Sequence, residues 1–127
     1  MFVNGQAMSG GTISHNLADA TFIGPAVTAP KYRFYSVRDE FPGLLPVEDG
    51  GFSVHGELYE VTYSILREQL LPSEPPELEL GVIELEDGSG TLCMQLRDEW
   101  VGHKNLTDIT EIGRWREYLN GAPALKA

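Results

Sequence analysis

The stretch Val54-His55-Gly56-Glu57-Leu58-Tyr59-Glu60-Val61 alternates in the manner of a strand, with Val54, Gly56 and Leu58 on one face and the charged Glu57 on the other. A half-buried strand needs paired neighbours and a core beneath it, so the chain must build a sheet. At 127 residues it can bury one ordinary core, and a single domain over residues 1–120 with a tail over 121–127 is expected.

The remaining punctuation supplies the other elements. Met1, Phe2 and Val3 form a short apolar start that breaks at Asn4-Gly5, which predicts a brief strand entering a loop. Ile13, Leu17 and Ala20 recur on one helical face, with Thr12 or Ser14 as a cap, and predict a short helix. Residues 20–37 are rich in aromatic and β-branched side chains and predict two strands joined near Pro30-Lys31. Phe41-Pro42-Gly43-Leu44-Leu45-Pro46 is broken by proline and predicts a loop with a short extended piece.

After the central strand, Ile65, Leu66, Gln69 and Leu70 predict a helix of two to three turns that begins near Thr62 and ends at Pro72. Two apolar runs, 80–86 and 91–96, flank Asp87-Gly88-Ser89-Gly90 and predict an antiparallel hairpin. Ile109, Ile112, Trp115 and Tyr118 predict a C-terminal helix, locally weakened by Gly113. The order describes an α+β domain whose preferred architecture is a small, strongly curved or closed, mainly antiparallel β-barrel with flanking short helices.

Charge narrows the partners. Nineteen acidic residues against nine basic ones give a net charge of −10, which repels phosphate backbones and anionic membrane surfaces. Neither nucleic acid nor a membrane is expected as a partner. The single Cys93 offers no intrachain disulfide, and the N-terminus carries no export pattern, so a reducing, cytoplasmic location is expected. There is no Walker loop, dinucleotide glycine fingerprint, nucleophile elbow or His-Glu-x-x-His helix. The three histidines, His15, His55 and His103, lack ligand spacing, so no metal site and no cofactor are expected.

Three positions carry candidate chemistry. In Asn4-Gly5-Gln6, a glycine lets backbone N–H groups approach a ligand while two amides read polar groups, which suits cradling a carboxylate; the alternative is a simple turn in which Asn4 satisfies its own backbone. Glu74 sits among Pro72, Pro75 and Pro76, which restrict the backbone and suit a carboxyl held in one direction for proton transfer; the alternative is one more exposed acid on a turn. His15 is close enough in sequence to share a pocket with Asn4, or else lies on a helix surface. Cys93, among Thr91, Leu92 and Met94, reads as a buried, inert thiol rather than a nucleophile.

Taken together, the motifs resemble a known family. Phe2-Val3-Asn4-Gly5-Gln6-Ala7-Met8 resembles the N-terminal strand and substrate loop of gamma-glutamylcyclotransferase-like proteins, and Gly56-Glu57-Leu58-Tyr59-Glu60-Val61 resembles their internal Gly-Glu-Leu-Tyr strand. Asp108-Ile109-Thr110, with Gly113 and Trp115, resembles their tail. Thr12-Ile13-Ser14-His15-Asn16-Leu17, Thr28-Ala29-Pro30-Lys31-Tyr32-Arg33 and Gly81-Val82-Ile83-Glu84-Leu85-Glu86-Asp87-Gly88 are most similar to the C-terminal domain of allophanate hydrolases.

This resemblance implies a small β-barrel with flanking helices. It implies Glu74 as the general acid/base, with Glu77 as the fallback, His15 as a second catalytic group, and Asn4, Gly5, Gln6, Ala7 and Met8 as the substrate loop. The usual Tyr-Gly-Ser-type loop is Asn4-Gly5-Gln6-Ala7 here, a departure that argues against gamma-glutamyl specificity. The implied ligand is a small carboxylate-containing metabolite. The Ser-Ser-Lys amidase machinery is missing from this sequence, so an amidase-type protein is an implied partner. The expected activity is general acid/base chemistry on a carboxylated amide, carbamate or amine-derived metabolite; lactam formation and a purely binding or assembly role are the rivals.

Overall fold

The structure is a computed structural model and describes residues 1–5, 8, 17–103 and 105–121. Its strands are β1 (Phe2–Val3), β2 (Thr21–Val27), β3 (Tyr32–Val37), β4 (Phe41–Pro46), β5 (His55–Glu60), β6 (Leu78–Glu84), β7 (Gly90–Leu96) and β8 (Leu106–Asp108), followed by a short helix α1 (Trp115–Leu119). They form a five-stranded sheet of order β2-β5-β1-β7-β6 and a three-stranded sheet of order β4-β3-β8.

The centre of the larger sheet is its shortest strand. Phe2 pairs antiparallel with Leu58 of β5 and parallel with Cys93 of β7, so two residues join the β2-β5 and β6-β7 hairpin-like pairs into one sheet. Met1, Phe2 and Val3 are all buried, as a central strand requires. The main core gathers Phe2, Phe34, Leu44, Val54, Leu70, Ile83, Ile109 and Trp115, and a smaller cluster of Val37, Phe41, Leu78 and Leu96 ties the two sheets together.

The α+β class agrees with the expectation, with mostly sheet and few helices. Barrel closure does not. The outer strands β2 and β6 converge only just past their ends, where Thr28 and Leu85 form a single bridge: Ala29 N–H donates to Glu84 O at 3.0 Å and Glu86 N–H to Val27 O at 3.0 Å. One bridge is not a ladder, so the sheet is curled but open.

Several local expectations are corrected. The segment expected as a proline-broken loop is β4, paired with β3 at all six positions from Tyr32↔Pro46 to Val37↔Phe41. Pro42 and Pro46 share one parity on an edge strand, where the missing N–H can face away from the ladder. The segment after β5 is not a simple α-helix but a π-helical stretch (Ile65–Leu70) running into a 3-10 turn (Leu71–Ser73). The buried pair Ile65 and Leu70 stands five apart, a spacing the wider π turn stacks on one face.

At the C-terminus, Gly113 adopts φ +63° and breaks the expected helix, so only residues 115–119 are helical. Ile109 and Ile112 lie in the turn after β8, a strand not expected from the sequence. Of the expected N-terminal helix, Leu17 is buried in the core, while residues 9–16 lie outside the described residues.

Gly56 is what lets β1 come so close to β5. A Cβ there would lie 2.3 Å from Val3 O and 2.7 Å from Phe2 Cζ. Gly56→Ala is therefore expected to lower unfolding free energy by about 1–3 kcal/mol, read as a fall in the urea midpoint. An unchanged midpoint would show that β1 is not tightly held there.

Candidate active site

Where β1 ends, a narrow cavity opens, lined by Asn4 and Gly5 from the N-terminal segment, Phe41 and Pro42 from β4, Cys93 and Met94 from β7, and Ser73, Glu74 and Pro75 from the turn before β6. Its volume of about 50 Å³ admits roughly three or four water-sized groups, which is the size of a carboxylate or amide head. Gly5 is needed for the wall to close, since a Cβ there would lie 2.5 Å from Pro42 Cδ.

Glu74 is the titratable side chain of note in this cavity. It follows the 3-10 turn, where Glu74 N–H donates to Leu71 O at 3.1 Å and the chain leaves helical geometry (φ −83°, ψ 142°). Among the described residues no cation is paired with its carboxyl, and burial alone pushes its pKa up to about 7 from an ordinary 4.5. A carboxyl poised near neutrality can both accept and return a proton.

Glu77, three residues on, is in the opposite condition. It is buried, but Arg38 Nη1 donates to its Oε2 at 2.6 Å. Burial pushes the Glu77 carboxyl up, yet the Arg38 hydrogen bond, its own backbone N–H and the nearby cationic charge outweigh it and hold it below the ordinary range. It is a charged ion-pair partner, not a proton exchanger.

The floor of the cavity is quieter. Asn4 turns its side-chain Nδ2 inward toward Cys93 Sγ at 3.9 Å, and Cys93 donates to Met94 O at 3.3 Å. Burial pushes the Cys93 thiol far up, with the Glu74 charge adding to it, so Cys93 is inert as a nucleophile, as its strand position implied. The N-terminal amine of Met1 donates to Tyr59 O at 2.9 Å.

The structure thus brings Asn4, Gly5 and Glu74 together. Met8 is elsewhere: it is buried and lines a second, more open groove of about 490 Å³ with His55, Glu57, Arg114 and Glu117. Gln6, Ala7 and His15 lie outside the described residues. Sequence reasoning missed Phe41 and Pro42, whose place in the wall depends on a strand pairing that proline disguised. His55 sits in the second groove with Nε2 3.4 Å from Arg114 Nη2, and His103 packs edge-on against Trp100. Among the described residues no three His, Cys, Asp or Glu side chains converge as a metal site requires, and no helix is long and apolar enough to cross a membrane.

The family model for the allophanate hydrolase C-terminal domain matches residues 1–120. The chain belongs to that family. The family has a gamma-glutamylcyclotransferase-like fold. A protein specific to uropathogenic E. coli is 31% identical, covering 96% of this chain and 95% of its own, with a TM-score of 0.86. An allophanate hydrolase from Kluyveromyces lactis is 24% identical with a TM-score of 0.87, and the urea amidolyase of the same yeast is 25% identical with a TM-score of 0.86. Each covers 94% of this chain, which spans only 20% of the hydrolase and 8% of the amidolyase. An uncharacterised Pyrococcus horikoshii protein, 20% identical with a TM-score of 0.72, shares the fold. No curated protein gives a match.

The raised Glu74 has a thermodynamic signature. The folded state keeps a proton that the unfolded state releases above about 4.5, so this contribution to stability is full below 4.5 and is lost as pH rises through about 7. Glu74→Gln, which stays neutral, is expected to match the wild type in stability at pH ~3.5 and to exceed it at pH ~8 by on the order of 1–3 kcal/mol. Parallel pH–stability curves for the two proteins would contradict the assignment.

Proposed function

We propose that this domain is a small enzyme acting on a carboxylated amide, carbamate or amine-derived metabolite by general acid/base chemistry. The observation that carries this reading is the Glu74 carboxyl, unpaired with any cation among the described residues and raised to about 7, facing a head-group-sized cavity at the end of β1. Glu74 takes the proton from the reacting nitrogen or oxygen and returns it to the product. The N-terminal loop from Asn4 to Ala7 in sequence holds the ligand carboxylate, with Gly5 giving the backbone its close approach, while Met8 stands apart in the second groove. His15 is the second proton-handling group. Residues 1–120 act as one domain, with 121–127 as a tail, in the cytoplasm.

Two properties favour Glu74 over Glu77: it has no counter-ion among the described residues, and it lines the cavity. The same geometry serves a lactam-forming reaction, in which Glu74 accepts the proton of an amine attacking its own amide and delivers it to the amine expelled as the original C–N bond breaks. A binding or assembly role beside an amidase-type protein has its own support, because the relatives named allophanate hydrolase and urea amidolyase contain this fold as a small part of a longer chain.

Incubation with gamma-glutamyl amines, allophanate, biuret and simple dicarboxylates, followed by mass spectrometry, separates these. Conversion by the wild type, with turnover falling by about 10²-fold or more in Glu74→Gln, is the expected result. Equal turnover in the variant would remove Glu74 from the chemistry. Thermal stabilisation without conversion would favour the binding role.

A further inference from the structure

Arg38 lies outside the cavity yet touches one wall, at Phe41, and Glu77, which continues the segment that forms the other. It sits in the β3–β4 turn at φ +53°, beside Asp39 at φ +57°, both in the left-handed region that L-residues seldom adopt. Such conformations persist only where the surroundings fix them, and they gather at sites and clamps. Here the fixing groups are visible. Asp39 N–H donates to Ser36 Oγ at 3.1 Å, Tyr118 O–H donates to Asp39 Oδ1 at 2.5 Å, and Arg38 N–H donates to Asn105 O at 3.1 Å.

That backbone aims the guanidinium. It lies over the Phe41 ring at 5.6 Å from the centroid, and Phe41 is one wall of the cavity. Its Nη1 donates to Glu77 Oε2 at 2.6 Å, and its Nη2 to Glu40 Oε2 at 3.3 Å. Glu77 is joined to Glu74, on the opposite wall, through Pro75-Pro76, whose rings lock two successive φ angles. Arg97 holds the same segment from behind, with Nε donating to Pro76 O and its N–H to Glu77 O, both at 2.9 Å. The other Glu77 oxygen, Oε1, is buried without a partner among the described residues, so Arg38 is the main group that keeps this carboxylate charged.

We propose that Arg38 is a positioning residue: gripping Glu77 and Phe41 together, it clamps the Glu74-Pro75-Pro76-Glu77 segment against β4, fixing both the direction of the Glu74 carboxyl and the width of the cavity. This rests on the reading of Glu74 as the proton-transferring group. The titratable groups that share the cavity, Cys93 and the Met1 amine, are not bonded to Arg38.

The test compares wild type with Arg38→Met and Arg38→Lys by carboxyl NMR titration of labelled glutamate and by amide hydrogen exchange. Electrostatics and clamping have opposite signs. Losing a cation can only raise the Glu74 midpoint, whereas loosening the segment admits water and lowers it. In Arg38→Met the midpoint is expected to fall by about one unit or more. The Glu74 and Leu78 amides, bonded to Leu71 O and Pro75 O, should exchange about tenfold faster or more. The Ile109 amide, bonded to Phe34 O in the core, should not change, and Arg38→Lys should restore part of the effect.

An unchanged or raised midpoint with unchanged exchange would overturn the clamp, as would equal acceleration at Ile109, which marks general destabilisation. A wild-type Glu74 midpoint near 4.5 would remove the proton-transfer reading instead. Exchange at Glu74 and Leu78 would still decide whether Arg38 holds the segment.

Discussion

A strand of two residues holds this fold together. Phe2 and Val3 form the middle of the larger sheet, and without them β5 and β7 have no common neighbour. So short a strand offers few hydrogen bonds, and burial and close approach must do the rest: Phe2 is 1% exposed, and Gly56 leaves room for the β1 backbone against β5. The same arrangement places the first polar residues of the chain. Asn4 and Gly5 emerge at the centre of the sheet rather than at its margin, directly over Cys93 and opposite the turn that carries Glu74.

From that geometry follows a division of labour between two carboxyl groups three residues apart. Glu77 is more deeply buried in the structure than Glu74, yet it stays ionised because a guanidinium meets it at 2.6 Å. Glu74 loses water and gains no counter-ion among the described residues, so its proton is retained to near neutral pH. Neighbouring acids driven apart in this way are a general means of assigning one to structure and the other to proton transfer. The two prolines between them fix the backbone that separates the two side chains.

Much of the frame was legible in the sequence. The alternation around Leu58 gave β5, the Asp87-Gly88-Ser89 turn gave the β6–β7 hairpin, and the break at Asn4-Gly5 gave β1, because each signal is local and repeats with the strand period. β4 was hidden by two prolines that an edge strand tolerates, and β8, only three residues long, carries too little pattern to stand out. The C-terminal stripe read as helix because Ile109, Ile112 and Trp115 pack together in the core, although Gly113 turns the chain between them. In the site, Glu74 was visible through its flanking prolines and the family resemblance. Its burial was not, since the walls come from β4 and β7, far away in sequence. Arg38 left no signal at all: its role depends on a left-handed turn and a partner 39 residues away.

Proton transfer at this site depends on the protonation of one carboxyl. Direct measurement by ¹³C NMR of the Glu74 side chain in the wild-type protein, titrated from acid to mildly alkaline pH, tests it without knowledge of any substrate. A midpoint near 7, with Glu77 titrating below its ordinary range, is the predicted result. A Glu74 midpoint close to 4.5 would mean that water reaches the carboxyl freely and that the cavity at the end of β1 does not prepare it for proton transfer.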